Sequence, residues 1–201
     1  MEETALWLWG LYGLLALVVP VSLQLRRTGS TGLKGPGGVP GSVEWIAGAG
    51  LLVALGLGVA APIMALNDVV EPIDALDGTG AHVAGIVAYA LGLALVVFSQ
   101  QWMGRSWRVG VDESEGTELV LGGPFRFIRN PIFTGLLVMS VGFTLMVPSI
   151  VSFASTALLL VSLEMQTRLV EEPYLTRVHG EAYRVWARRV GRFVPGAGRI
   201  D

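Results

Sequence analysis

Hydrophobic positions in this chain fall in long unbroken runs rather than in the short alternations of a soluble fold. Thr4 to Leu25 contains no charged residue, Val43 to Leu66 only Glu44 near its edge, and Ala81 to Gln101 no Asp, Glu, Lys or Arg. Ile132 to Val147 and Ile150 to Val170 follow, separated only by Pro148 and Ser149. A membrane-spanning helix takes about 20 mostly apolar residues. The pattern therefore predicts an all-α polytopic membrane protein with about five transmembrane helices. The fourth run is short for a full crossing, and the last two read as a tight helical hairpin. One membrane domain is expected over 1–201: three N-terminal spans within 1–101, then a loop, the hairpin and a tail within 102–201.

Loop charge gives a direction. Arg26, Arg27 and Lys34 follow the first run, Arg105, Arg108, Arg126 and Arg129 follow the third, and a further set of arginines from Arg177 to Arg199 follows the fifth. The connection between the second and third runs holds Asp68, Glu71, Asp74 and Asp77 and no basic residue. Cytoplasmic loops carry the excess of Lys and Arg. An odd number of crossings, N-terminus outside and C-terminus cytoplasmic, satisfies every loop. The protein is then expected in the plasma (inner) membrane if the chain is prokaryotic.

Small residues predict how the spans pack. Gly50, Ala54 and Gly58 recur on the second run, and Ala81, Gly85, Ala88 and Gly92 on the third. Such stripes let helix backbones approach closely. They leave open whether the contact is within one chain or between chains, so the oligomeric state is open.

Composition narrows the chemistry. Charged residues make up 15% of the chain, against roughly a quarter in soluble domains. There is no cysteine, and the two histidines, His82 and His179, are far apart, so no metal site is expected. No nucleic-acid partner is expected either, since the basic residues track the cytoplasmic loops. The acidic start Met1-Glu2-Glu3 argues against a cleaved signal peptide. Loop 26–42, with Gly35-Pro36-Gly37-Gly38 at its middle, reads as flexible.

Candidate chemistry concentrates between Gln100 and Pro131 and again from Glu164. The first stretch is a long connection that carries Trp102, Trp107, Leu119, Val120, Phe125 and Phe127, too apolar for a disordered linker. Arg129-Asn130-Pro131 marks entry to the fourth span, with proline suited to a first helical turn. Arg129 reads either as a cytoplasmic anchor or as a ligand-facing cation. Glu164, Arg168 and Glu171 share one helical face by spacing, and Glu172 follows. Adjacent carboxylates at a helix C-terminus oppose the macrodipole. Either Arg129 or a cationic ligand compensates them, or Pro173 starts a new helix whose N-terminus welcomes them. The tail from Pro173 to Val190 reads as an amphipathic cytoplasmic segment, broken at His179-Gly180.

In order, Met103-Gly104-Arg105-Ser106-Trp107-Arg108, Glu118-Leu119-Val120, Gly123-Pro124-Phe125, Ile128-Arg129-Asn130-Pro131-Ile132-Phe133-Thr134-Gly135, Glu171-Glu172-Pro173-Tyr174-Leu175, His179-Gly180-Glu181-Ala182-Tyr183 and Gly191-Arg192-Phe193-Val194-Pro195 resemble the isoprenylcysteine carboxyl methyltransferase and phospholipid methyltransferase superfamily of membrane enzymes. The likeness covers about the C-terminal half. It departs where the family pattern has histidine and tyrosine: Asn130 and Phe133 stand there. Asn130 can hydrogen bond but cannot serve as a base near neutral pH.

The resemblance implies a methyltransferase using S-adenosylmethionine at the cytoplasmic membrane face, with a lipidic or hydrophobic small acceptor. Implied cofactor contacts are Leu119, Val120, Gly123, Phe125, Arg129, Asn130, Pro131, Phe133, Glu171, Glu172 and Leu175. Arg129 and Glu172 take the catalytic role, and Gln100, Arg105 and Trp107 are substrate candidates. Isoprenylcysteine carboxylate, phospholipid amine and small thiols remain open as acceptors. The rival readings are an NADPH-dependent membrane reductase, which the Glu171-Glu172 pair disfavours, and a non-enzymatic membrane scaffold.

Overall fold

A computed structural model describes residues 1–33, 37–107 and 119–200. Among them the regular structure is helical, with isolated bridges and no strand. We label the helices α1 (Glu2–Thr28), α2 (Val43–Leu66), α3 (Thr79–Met103), α4 (Pro131–Met146), α5 (Ile150–Met165) and α6 (Glu172–Ala187). A π-helical turn, Gln166–Glu171, joins α5 to α6 without a break.

Among the described residues, four helical stretches are long and apolar enough to cross a membrane: α1, α2, α3 and the run Ile150–Ala187. The expected fourth crossing is shorter than the rest. Helix α4 has 16 residues, about 24 Å at 1.5 Å per residue, against a hydrocarbon core of about 30 Å. Its far end is covered rather than bare: Ser149 is buried, and Ile73 N–H from the α2–α3 connection donates to the Pro148 carbonyl at 2.7 Å.

The expected hairpin forms, yet its two arms pack mainly on other helices. Helix α4 lies chiefly on α3 and α5 chiefly on α2. The glycine stripes explain both contacts. A Cβ on Gly92 would lie 2.6 Å from the Gly135 carbonyl oxygen, and one on Gly142 2.6 Å from that of Gly85. On α2, Ser155 Oγ donates to the Ala54 carbonyl at 2.8 Å. The small-residue faces are thus used within one chain.

Pro20 lies within α1 and Pro62 within α2, and each costs a carbonyl its helical donor. Pro20 has no N–H to return to Ala16, whose carbonyl accepts instead from Gln100 Nε2 at 3.0 Å. A π-helical segment, Gly13–Val18, precedes it. Pro62 likewise leaves Gly58 without its i+4 donor, and Trp9 Nε1 donates there at 3.0 Å. Both repairs join different helices, α3 to α1 and α1 to α2, so backbone defects become interhelical hydrogen bonds.

The tail also follows its sequence. Helix α6 kinks at Gly180, whose φ is +53°, at the expected break. Glu164 and Arg168 pair one turn apart, but Glu171 does not share their face as the α-helical spacing predicts. The π turn widens the repeat, so Glu171 accepts from Gln166 Nε2 five residues back at 3.4 Å and Glu172 rotates inward.

Candidate active site

The site is built where the α4 entry, the α5–α6 junction and the C-terminal segment meet. Entry to α4 is shaped by a 3-10 turn, Gly123–Arg126. Gly123 has a φ of +56°, and a Cβ there would overlap the Trp102 indole, so only glycine closes this turn against the end of α3. The turn buries Phe125, whose carbonyl accepts from Trp186 Nε1 at 3.3 Å.

Beyond it, the chain runs beside the C-terminal segment. Ile128 and Gly191 form a parallel bridge. Arg129 N–H donates to the Gly191 carbonyl at 2.8 Å and Asn130 N–H to that of Arg192 at 3.1 Å. The Asn130 amide Nδ2 donates to the same Arg192 oxygen at 3.3 Å, and Thr134 Oγ1 donates to the Phe193 carbonyl at 2.8 Å.

These backbone bonds fix Arg129, which is 4% exposed. Its Nη1 donates to the Ala187 carbonyl at 2.9 Å, and its Nη2 to Glu172 Oε1 at 2.8 Å and the Gly198 carbonyl at 2.7 Å. Its Nε is buried with no partner among the described residues. Arg192 takes the same carboxylate as a fork, Nε to Oε1 at 2.7 Å and Nη2 to Oε2 at 3.0 Å. One carboxylate therefore lies between two guanidiniums. Burial pulls the Arg129 pKa down while Glu172 opposes that shift, and the Glu172 hydrogen bond pushes the Arg192 pKa up.

This answers the macrodipole problem at Glu172. The helix does not restart at Pro173; the π turn carries it through, and two arginines supply the compensating charge. Tyr183 is buried in the same part of α6, with its ring edge-on to Trp186.

The other expected site residues separate into two groups. Leu119, Val120, Gly123, Asn130, Phe133, Glu171 and Leu175 are half-buried, and Phe125 and Pro131 are buried. Phe133 packs with Phe193 against the Ala54, Leu159 and Leu163 cluster. Gln100 and Trp107 face α1 instead. With Pro20, Gln24 and Arg27 they line a separate small cavity, and the Gln100 amide is engaged in repairing the Pro20 defect. The Arg105 side chain, together with Arg108 and Glu118, lies outside the described residues. Sequence reasoning missed Arg192 as a site residue. It stood in the quoted Gly-Arg-Phe-Val-Pro run, but nothing local marks its distant carboxylate partner.

The family model of the phospholipid methyltransferases matches residues 81–182. The chain belongs to the phospholipid methyltransferase family. The match takes in α3, the α4 entry, the hairpin and Glu172, and stops before Arg192. Among solved structures, that of the eukaryotic intramembrane Ras methyltransferase ICMT (isoprenylcysteine carboxyl methyltransferase) matches with a TM-score of 0.62 at 18% identity. The match covers 92% of this chain and 63% of that one, so this member of the family spans less than two thirds of its structural neighbour. At that identity the likeness is one of fold. No curated protein matches the chain.

Proposed function

We propose that this protein transfers a methyl group from S-adenosylmethionine to a lipidic or otherwise hydrophobic small acceptor, at the cytoplasmic face of the membrane. The observation that carries the reading is the buried Arg129–Glu172–Arg192 centre at the base of the α4–α5 hairpin, inside and just beyond the family match. The residues fit the amino-acid end of the cofactor. Arg129 keeps one buried donor, Nε, without an acceptor among the described residues, which suits a carboxylate. Glu171, half-buried beside this centre, suits an ammonium. Leu119, Val120 and Phe125 offer apolar surface for adenosine.

When bound, the cofactor supplies a methyl group already activated on a sulfonium. The protein's part is then to align donor and acceptor and to exclude water. Arg129 is held by backbone carbonyls and an ion pair, so it binds an anionic group with little reorganisation. A carboxylate or thiolate acceptor needs no base. An amine acceptor must give up a proton, and Asn130 cannot take it. Glu171 and Glu172 are the carboxylates at hand for that step, and Glu172 already accepts three N–H bonds. The family description names a phospholipid and the structural neighbour's name an isoprenylcysteine carboxyl group. The class common to both is a lipid with a nucleophilic head, reaching the site from the bilayer.

Equilibrium binding to the purified protein tests this directly. S-adenosylmethionine and S-adenosylhomocysteine should bind saturably and compete with each other, and NADPH should not displace them. Membranes supplied with methyl-labelled cofactor should yield a labelled lipid that is absent without the protein. Saturable NADPH binding with none for the methyl donor would instead favour a reductase.

A further inference from the structure

Among the described residues Glu172 has two cationic partners, and of these only Arg129 lies in the part of the chain that the family match covers. The second, Arg192, lies ten residues past its end at 182. Yet Arg192 makes the more constraining contact. It grips both carboxylate oxygens through one edge of its guanidinium, at 2.7 and 3.0 Å, whereas Arg129 reaches Oε1 alone. A fork of this kind sets the plane of the carboxylate as well as its position. Among the described residues, the other acceptors that orient Arg129 come from the end of α6 and the segment after it: the Ala187 and Gly198 carbonyls for the side chain and the Gly191 carbonyl for the backbone.

We propose that Arg192 is a positioning residue for the methyl-transfer site. It fixes the Glu172 carboxylate, and Glu172 with the C-terminal carbonyls fixes the Arg129 guanidinium, whose Nε–H is the one donor left without an acceptor among the described residues. The proposal rests on the methyl-transfer reading. It extends the working site beyond the family match to 187–198. It also requires arginine: a lysine at 192 restores the charge but not the two-point grip on the carboxylate.

The test uses the full chain in detergent or nanodiscs, with S-adenosylhomocysteine as the binding probe. Three quantities are measured for the wild type, R192Q and R192K: the Kd of the probe, methyl-transfer turnover, and the Tm without ligand. R192Q should raise Kd at least tenfold while the ligand-free Tm stays within a few degrees of wild type. R192K should recover part of the affinity, with Kd three- to tenfold above wild type. The effects of R192Q and R129K on Kd should combine less than multiplicatively, because both act through one carboxylate. If R192Q does not fold, R192K decides: a weakened Kd at wild-type Tm supports the role, and an unchanged Kd overturns it. A folded R192Q with wild-type Kd and turnover also overturns it and leaves methyl transfer standing. A wild-type protein that does not bind the probe removes the methyl-transfer reading, and the positioning role with it.

Discussion

Glu172 is a single carboxylate facing two guanidiniums, and the three groups differ in what their loss exposes. Removing its charge by Glu172→Gln leaves Arg129 and Arg192 opposed with no anion between them. Breaking a buried pair in this way costs roughly 3–5 kcal/mol. Chemical unfolding of E172Q in detergent should therefore show a large loss of stability along with lost cofactor binding, and adding R192Q should recover part of the stability but not the binding. A variant as stable as wild type would mean that the pair is solvated rather than buried. Arg129 and Glu172 stood out in the sequence as charged residues bordering apolar runs, and the family resemblance is what implied a role for them. Arg192 did not, because it sits among other tail arginines and its role comes from a chain reversal after α6. The half-buried position of Glu171 was hidden for another reason: the α-helical repeat was the wrong ruler across a π turn.

Among the elements, the spans were readable from apolar length, and their partners only in part. The glycines of α3 announced a close contact, but the partner face on α4, Gly135 and Gly142, emerged from the structure. Gly92→Ala and Gly135→Ala should each push α3 and α4 apart and cost about 1–3 kcal/mol as overpacking, which thermal unfolding in detergent can read. Alanine at Gly56, which meets nothing within 4 Å, is the neutral control. The prolines were visible too, yet the side chains that repair them were not. Gln100 was a candidate substrate contact; its bond to the Ala16 carbonyl gives it a structural task. Gln100→Leu should cost about 1 kcal/mol. In a P20A background, where a backbone N–H is again available to Ala16, the same change should cost less. Equal costs in the two backgrounds would show that the Gln100 bond does not depend on the proline.

At the scale of the whole molecule, the open question is how a short α4 sits in a bilayer beside longer neighbours. Its 16 residues leave it several ångströms short of a hydrocarbon core. The α2–α3 connection closes over its far end through the Ile73–Pro148 bond, which keeps the buried Ser149 turn away from water. From loop charge the acidic connection is expected outside and the arginine-rich tail in the cytoplasm. The absence of native cysteine makes both points measurable with single-cysteine variants. In intact cells an impermeant maleimide should label D74C, at an exposed site in the acidic connection, and should label R188C, exposed on the tail, only after permeabilisation. S149C should resist labelling in either condition. The reverse pattern at positions 74 and 188 would invert the orientation and put the Arg129 centre outside, away from any cytoplasmic cofactor. Labelling of S149C as readily as D74C would mean that α4 reaches the outer water by itself, with the acidic connection standing clear of it.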